Sequence, residues 1–253
     1  MRRIIIVMLL IFVMAVPAVA KTDITLPSGP NALTQDEFKD LSRDLGLAIS
    51  YVPLATAEPL GGVLPHIDLG IEATSASIDN NASYWTKISN VPGNSSIPSS
   101  LVMPKIHLQV GLPIIPIDLG IVYGEAPSTN IKYTGYEVKW SILQGSAATP
   151  AIALRGAYTT VTGVTDLDIS TKSADLSISK GFAMFTPYGG YGIVWIDSKE
   201  TSADPTINLQ DVSLTENKWF VGCKITFFPL MNMVAEADFA KVNSYSLRLN
   251  IHF

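Results

Sequence analysis

The sequence predicts an all-β fold: an antiparallel transmembrane β-barrel of ten or twelve strands with a short N-terminal helix. Three observations lead to this prediction. The last stretch, Tyr245 to Phe253, alternates apolar and polar residues without a break, as a strand with one apolar face does. The same alternation recurs through most of the preceding chain. Charged residues make up only 15% of the sequence and mean hydropathy is +0.30, yet no later apolar run has the length of a membrane helix.

The N-terminus has the pattern of a secretory signal peptide. Arg2 and Arg3 are followed by an apolar run from Ile4 to Val16 and then by the small residues Ala18-Val19-Ala20. The apolar run is shorter than the ~20 residues that a membrane-spanning helix needs, which disfavours the alternative of an anchor. We therefore expect residues 1–20 to be removed, so that the mature chain begins at Lys21.

Residues 21–64 read as an N-terminal leader that contains one short helix. Thr34-Gln-Asp-Glu37 has the spacing of a capping box, in which a Thr side chain and a Glu side chain satisfy each other's backbone amides. Phe38 and Leu41 then fall on one helical face. The pattern predicts a helix over about 35–44 that ends near Gly46, and the leader either plugs the barrel or lies on its periplasmic side.

Residues 65–253 form the predicted barrel. Ten alternating stretches follow from about His66, and the stretch Leu45–Tyr51 would be an eleventh. Because single-chain bacterial barrels have even strand numbers, that stretch either lies outside the wall or belongs to a barrel of twelve strands. Ile67-Asp-Leu-Gly-Ile71 recurs as Ile117-Asp-Leu-Gly-Ile121, which suggests two strands that begin in equivalent ways, each with an inward Asp.

The connections between strands alternate in length. Two are long and polar, 79–99 and 198–215, whereas four are tight turns rich in Pro and Gly. The tight turns are expected at 112–116, 146–150, 186–190 and 229–232. Counted back from the last strand, every tight turn falls at the C-terminal side of the barrel and both long loops fall at the other. The Tyr188-Gly-Gly-Tyr-Gly192 motif is interpreted as part of a turn, because no helix follows that would make it a phosphate loop.

The final strand resembles the last strand of bacterial outer-membrane β-barrel proteins, which ends in Phe after apolar residues at alternate positions. The matching positions are Tyr245, Leu247, Leu249, Ile251 and Phe253. The resemblance implies that the barrel assembly machinery reads this strand as its signal. It also implies a location in the outer membrane of a Gram-negative bacterium, with outer-membrane lipid as a partner.

Alternation alone leaves two arrangements open, because the polar face of a soluble sandwich or lipocalin-like barrel points outward, whereas that of a membrane barrel points inward. Export without paired cysteines, aromatic residues near strand ends and the loop lengths favour the membrane barrel. The side chains then predicted to face the lumen are Asp68, Glu72, Lys105, His107, Gln109, Asp118, Glu137, Lys139, Arg155, Lys224, Glu236 and Arg248.

The sequence offers little that points to chemistry. Of the three histidines, His66 and His252 are expected at the periplasmic rim, and His107 is expected in the lumen beside Lys105. No motif assigns a nucleophile, and no Cys/His cluster has metal spacing, so we predict no catalytic residue, no metal and no cofactor. The net charge of −5 argues against nucleic acid as a partner. Cys223, the single cysteine, is interpreted as a small apolar residue facing lipid or core, with a free thiol as the alternative.

We therefore expect a monomeric outer-membrane barrel, not an enzyme, that passes or binds small solutes of unknown identity through a narrow lumen. An alternative is a structural or adhesive surface protein that acts through its external loops, and a barrel enzyme is a third hypothesis. The inward charges also allow a plainer interpretation, in which they pair with one another and fill the lumen.

Overall fold

The computed structural model describes residues 24–94, 96–127 and 129–253, so the predicted signal peptide lies outside the described residues. Ten strands are present in this part of the chain. They are β1 His66–Ser77, β2 Ser100–Gly111, β3 Ile117–Glu125, β4 Lys132–Leu143, β5 Ala151–Thr162, β6 Leu167–Ser179, β7 Phe185–Glu200, β8 Val212–Phe228, β9 Met231–Phe239 and β10 Ser244–His252.

The strands form one closed barrel in which each strand pairs antiparallel with its neighbours in sequence, and β1 pairs with β10. Leu249 lies opposite Ile71 at this seam. Beyond the end of β10, Phe253 and Ile67 exchange backbone hydrogen bonds of 2.9 and 3.0 Å. The fold class predicted from the sequence is confirmed with ten strands, and the alternative of twelve strands is wrong.

The N-terminal helix, α1, spans Gln35–Ile49 and is longer than predicted. Its capping box is present: the Glu37 amide donates to Thr34 Oγ1 at 3.2 Å, and the Thr34 amide donates to Glu37 Oε2 at 2.8 Å. Gly46 does not end the helix, because its role is close packing. A Cβ there would lie 2.4 Å from Ile196 Cγ2 on β7. The alternation from Leu45 onward is therefore helical and not an eleventh strand.

Connections at the two ends of the barrel differ, and we name the ends after them. The turn rim carries the connections 112–116, 144–150, 180–184 and 229–230, whereas the loop rim carries 78–99, 126–131, 163–166, 201–211 and 240–243. The first loop contains a helix that was not predicted, α2, Ser83–Ser89. The turn predicted at 186–190 is also wrong, because Tyr188-Gly-Gly-Tyr-Gly192 lies within β7.

The outer surface changes character along the strands. Towards the turn rim its outward side chains are apolar, as the exposed Val221 and the half-buried Cys223 and Ile225 show on β8. Towards the loop rim they become polar, as at Thr215 and Asn217. An aromatic residue marks this change on seven strands, where the next outward residue on the loop side is polar. These aromatic residues are Tyr123, Tyr136, Tyr158, Trp195, Trp219, Phe239 and Tyr245.

The apolar part of the wall has the height of a bilayer core. Trp219 to Phe227 on β8 matches the ~9–11 residues of a membrane-spanning strand. Aromatic side chains are also exposed towards the turn rim, among them Trp140, Phe185 and Phe227. Two aromatic belts therefore bound an apolar band, as expected for a barrel in a membrane. None of the described helices is both long enough and apolar enough to span a bilayer.

The interior has two parts. In the loop-side half, α1 and α2 pack against inward apolar side chains of the wall, with Phe38, Leu41 and Trp85 fully buried. In the turn-side half, most inward side chains are polar or charged. They surround residues 50–60 of the stretch 50–64, which we call the luminal segment because it runs from α1 through the barrel to the start of β1.

Candidate functional site: the occupied lumen

Lysine side chains of the wall hold the carbonyl groups of the luminal segment. Lys218 Nζ donates to the Tyr51 carbonyl at 3.0 Å. Lys139 Nζ donates to the carbonyls of Thr56 and Glu58 at 2.9 and 2.8 Å. Lys139 also pairs with Asp118 at 2.8 Å, and Lys218 with Asp238 at 3.1 Å. Each lysine therefore joins a wall carboxylate to the segment's backbone.

Acidic and hydroxyl groups of the wall hold the amide groups of the same segment. The Leu54 amide donates to Glu236 Oε2 at 2.9 Å, and the Ala57 amide donates to Ser179 Oγ at 3.0 Å. The Leu60 amide donates to both carboxylate oxygens of Asp118, at 3.1 and 3.0 Å. The buried segment belongs to no sheet, so these side chains take the place of ladder partners for its backbone.

An apolar contact fixes the middle of the segment. Leu54 is fully buried in a cluster with Val52, Tyr188, Phe220 and Val234. Leu54 also has a positive φ of 43°, which is uncommon for a residue with a Cβ. Glycines on neighbouring strands make room for the aromatic rings of Tyr188 and Phe220.

The ring contacts explain two glycines that the sequence alone does not. A Cβ at Gly190 would lie 2.3 Å from Phe220 Cζ, and a Cβ at Gly222 would lie 2.3 Å from Tyr188 Cζ. Tyr188 and Phe220 were not predicted to face the lumen, although glycines within a strand, as in Tyr188-Gly-Gly-Tyr-Gly192, indicate close packing.

A charged cluster lies beside the start of the luminal segment. Glu72 is 3.0 Å from Lys105 Nζ and 2.9 Å from His107 Nδ1, and the hydroxyl of Tyr51 is 2.8 Å from His107 Nε2. Arg155 lies within 3.4 Å of Glu137. All of these groups are buried, so each charge depends on its neighbours for compensation.

Eleven of the twelve side chains predicted to face the lumen are buried inside the barrel, and Lys224 is half-buried at the turn rim. Arg248 contacts the β1–β2 side of the lumen: it donates to Gln109 Oε1 at 3.1 Å and lies 3.9 Å from Asp68. Asp68 and Asp118, the inward residues of the internal repeat, both lie inside the barrel near the turn rim.

The segment leaves the barrel through a narrow passage at the turn rim. A Cβ at Gly111 would lie 2.0 Å from the backbone nitrogen of Gly61, so only glycine fits where the luminal segment crosses the end of β2. A cavity of about 260 Å³ remains beside this crossing. Its charged and titratable lining residues are Glu58, Asp68, Lys139, Lys224, Arg248 and His252.

The two rim histidines are not isolated. His252 Nδ1 is 3.1 Å from Asp68 Oδ1, and the rings of His66 and His252 stack with centroids 5.0 Å apart. Within the described residues, no group of three or more His, Cys, Asp or Glu side chains could hold a metal ion. The apolar residues of the predicted assembly signal line the outer face of β10, where Tyr245, Leu247 and Leu249 are exposed.

Two carboxylates outside the strands tie α1 to the first loop. Burial raises the pKa of Glu37, but hydrogen bonds from Lys87, the Thr34 amide and Ser83 outweigh it and lower the pKa to about 2. Burial raises the pKa of Asp44, although Trp85 Nε1 and the Tyr84 hydroxyl donate to its carboxylate at 2.9 and 2.8 Å. The entrance from the loop rim is therefore held by an ion pair and by hydrogen bonds to these two carboxylates.

Comparison with solved structures finds bacterial outer-membrane proteins. The translocator domain of the autotransporter NalP from Neisseria meningitidis is 7% identical, with 86% of this chain and 96% of that chain covered and a TM-score of 0.39. Ail, the attachment invasion locus protein of Yersinia pestis, is 12% identical, with coverage of 75% and 97% and a TM-score of 0.33. OprG of Pseudomonas aeruginosa is 12% identical, with coverage of 79% and 99% and a TM-score of 0.30.

At such identities and scores these likenesses carry no argument about function. No family model and no curated protein matches the sequence. The fold rests on the chain's own structure, a closed antiparallel barrel with an apolar exterior and a filled interior. That architecture is the one of bacterial outer-membrane β-barrels, as the resemblance of the final strand predicted.

Proposed function

We propose that this protein lies in the outer membrane of a Gram-negative bacterium and binds or passes small polar solutes, with the luminal segment as its gate. The observation that carries the proposal is the set of hydrogen bonds in which Lys139 and Lys218 donate to backbone carbonyls of residues 51–60, and Glu236 and Asp118 accept from backbone amides of the same residues. Lumen charges that could select ions in an open pore are used here to hold the segment in place.

The contacts that hold the segment suit a gate. Each is a polar bond that a bound solute or an entering water could replace, because either can supply the same donor or acceptor to the buried group. The cavity of about 260 Å³ beside the Gly61–Gly111 crossing is the place where a solute would meet Lys224, Arg248 and Asp68. The proposal places this cavity on the periplasmic side, because barrels of this class have their short turns there.

The proposal assigns no catalytic step and no cofactor to these residues. His107 is engaged at both ring nitrogens, by Glu72 and by Tyr51. Lipid would surround the apolar band, and β10 would be the strand that the assembly machinery reads. The adhesive alternative would use the loop rim instead and would not depend on movement of the luminal segment.

Single-channel recording in planar bilayers tests the gate. Ala57 contacts Ala151 and Ala153 of β5, so cysteines at 57 and 153, in a Cys223→Ser background, should tie the segment to the wall. We expect brief conductance steps from the reduced protein, none from the oxidised protein, and unchanged behaviour from the single Ala57→Cys control. A second variant with residues 24–64 deleted should conduct continuously.

Two results would contradict the proposal. If neither the reduced protein nor the deletion variant, shown to be folded by its strand content, conducts, the barrel is not a solute pathway. If the oxidised protein conducts as well as the reduced one, solutes pass without movement of the luminal segment.

A further inference from the structure

A second cavity lies in the loop-side half, away from the charged lumen. Its volume is about 480 Å³, within the ~300–1,000 Å³ of small-molecule sites. It lies between α1, the loop that carries α2, and the β3–β4 connection. Leu45, Ile49, Trp85, Ile131 and Tyr133 contribute to its lining. None of the described lining side chains is charged.

The cavity reaches the edge of strand β2. Leu101 and Met103 point into the barrel and Val102 points outward, yet all three line the cavity. Neighbouring residues on a strand point to opposite faces, so one cavity can border both faces only where the strand has a free edge.

Among the described residues, the ladder leaves this edge without a partner strand. Strand β2 pairs with β1 up to Ser100, but its pairing with β3 begins only at Lys105, opposite Gly124. Between these points Pro104 has no N–H to donate, and proline is tolerated in a sheet at such unpaired edges. The wall therefore has a gap beside Ser100–Pro104.

One side chain, Tyr133, closes the end of the gap that is nearer the turn rim. The Tyr133 hydroxyl donates to the Pro104 carbonyl at 2.5 Å, in place of a strand partner. It reaches that carbonyl across Gly124, where a Cβ would lie 2.2 Å from the Pro104 oxygen and 2.4 Å from the Tyr133 hydroxyl. The gap thus lies just on the loop side of Tyr123, which is paired with Ile106 and marks the boundary of the apolar band.

We propose that this cavity, the edge pocket, binds an uncharged hydrocarbon group that comes through the gap from the bilayer. An uncharged, mostly apolar lining disfavours ions and polar solutes, whose desolvation it would not repay. Val102, half exposed on the outer surface, provides continuous apolar contact from the wall into the pocket. The occupant is either a lipid acyl chain or a free apolar molecule dissolved in the membrane.

Trp85 provides the test, because it is fully buried and lines the pocket. Trp140, Trp195 and Trp219 are replaced by Phe, so that Trp85 alone fluoresces, and bromine then quenches it only on near contact. In one arm the full chain is reconstituted in brominated phosphatidylcholine; in the other, 1-bromododecane is added to unbrominated bilayers. Quenching by brominated lipid identifies an acyl chain, and saturable quenching by 1-bromododecane alone identifies a free apolar molecule.

Leu101→Phe fills the pocket and Leu108→Phe changes the outer face of the same strand. We expect Leu101→Phe to weaken the apparent affinity of the brominated molecule for the pocket at least tenfold. Leu108→Phe should leave that affinity unchanged. Both variants should keep the strand content of the parent protein. Tyr133→Phe should speed the onset of quenching severalfold, because it opens the gap. No quenching in either arm, or equal quenching in Leu101→Phe, would overturn the pocket, and an unchanged onset in Tyr133→Phe would overturn access through the gap.

Discussion

The loop-side and turn-side halves of this barrel are built with opposite polarity from the same strands. On β6, Leu167 and Ile169 point inward near the loop rim, whereas Asp175 and Ser177 point inward further along. The outward residues change in the reverse sense, from Asp168 and Lys172 to Leu176 and Ile178. The loop-side half thus resembles a soluble domain with an apolar core, and the turn-side half is its inverse.

The difference shows that the alternation of apolar and polar residues defines the two faces of a strand. It does not define which of the two faces points into the barrel. The medium outside decides that, because apolar side chains face lipid where the wall lies in a membrane and face inward where it meets water. The aromatic residues at the change of polarity, such as Trp219 on β8 and Trp195 on β7, then mark the membrane surface. The four experiments below test this comparison, from the largest expected effect to the smallest.

Phe38→Ala tests whether the loop-side half has a true apolar core. Phe38 is fully buried on α1, so its removal should lower the free energy of unfolding by about 3–5 kcal/mol. Urea unfolding of the protein in lipid vesicles, followed by tryptophan fluorescence, measures this change. Lys39→Ala, on the exposed face of the same helix, is the control and should change stability by less than about 0.5 kcal/mol. Similar costs for both would mean that α1 is not packed into the barrel.

Cys223→Arg tests the outside of the turn-side half. Cys223 is the middle outward position between Trp219 and Phe227 on β8, so an arginine there should cost about 2–4 kcal/mol near the bilayer midplane. Thr215→Arg on the same face of the same strand lies beyond Trp219 and should cost less than about 0.5 kcal/mol. Refolding yields and urea midpoints in vesicles compare the two. Equal effects would place both residues in the same medium.

Tyr51→Phe tests the polar interior of the turn-side half. Its hydroxyl lies 2.8 Å from the buried His107 Nε2, and loss of that partner should cost about 1–3 kcal/mol in the same unfolding assay. Tyr84→Phe removes a hydroxyl that bonds Asp44 at 2.8 Å in the less buried setting of the first loop, where the cost should be under about 1 kcal/mol. A larger loss for Tyr84→Phe would reverse the expected difference between the halves.

Glu37→Gln tests the ionic link at the loop rim and should cost at most about 1 kcal/mol at pH 7. The glutamine can keep the capping box but not the 2.7 Å ion pair with Lys87. Because the folded pKa of Glu37 is about 2, below the ordinary 4.5, its ionic stabilisation is present above about pH 4.5 and is lost as pH falls towards 2. Unfolding from pH 2 to 7 should show wild type and variant converging at the acidic end. A constant difference would mean that the charge contributes nothing.

The strands of the barrel could be predicted from the sequence better than the helix and the segment that fill the barrel. Strict alternation located the strands, and the same alternation identified the inward charges, because period two is a local property of the chain. It left open that the helical residues after Gly46 form a further strand, and it wrongly placed the glycines after Tyr188 in a turn. In both cases glycine serves close contact with another element, Ile196 or Phe220, which no local pattern reports.

The path of the luminal segment was also beyond local prediction. Pro53 and Pro59 interrupt both helical and strand periods there, which indicates an irregular segment but not its position. Its partners lie far along the chain: Lys139 is 81 and 83 residues from the carbonyls it binds, and Glu236 is 182 residues from the Leu54 amide. Only the closed barrel brings them together.

The luminal segment runs through a barrel that the rest of the same chain closes around it. Residues 24–34 lie at the loop rim, as the bond from the Leu26 amide to Asp166 shows, and Gly61 crosses the wall at the turn rim. Once β1 and β10 have paired, α1 could enter only end-on from the turn rim, through a ring lined with inward side chains, and a helix is about 10 Å across. We therefore expect α1 and the segment to be enclosed while the sheet is still open, and the seam from Ile67 to Phe253 to close last.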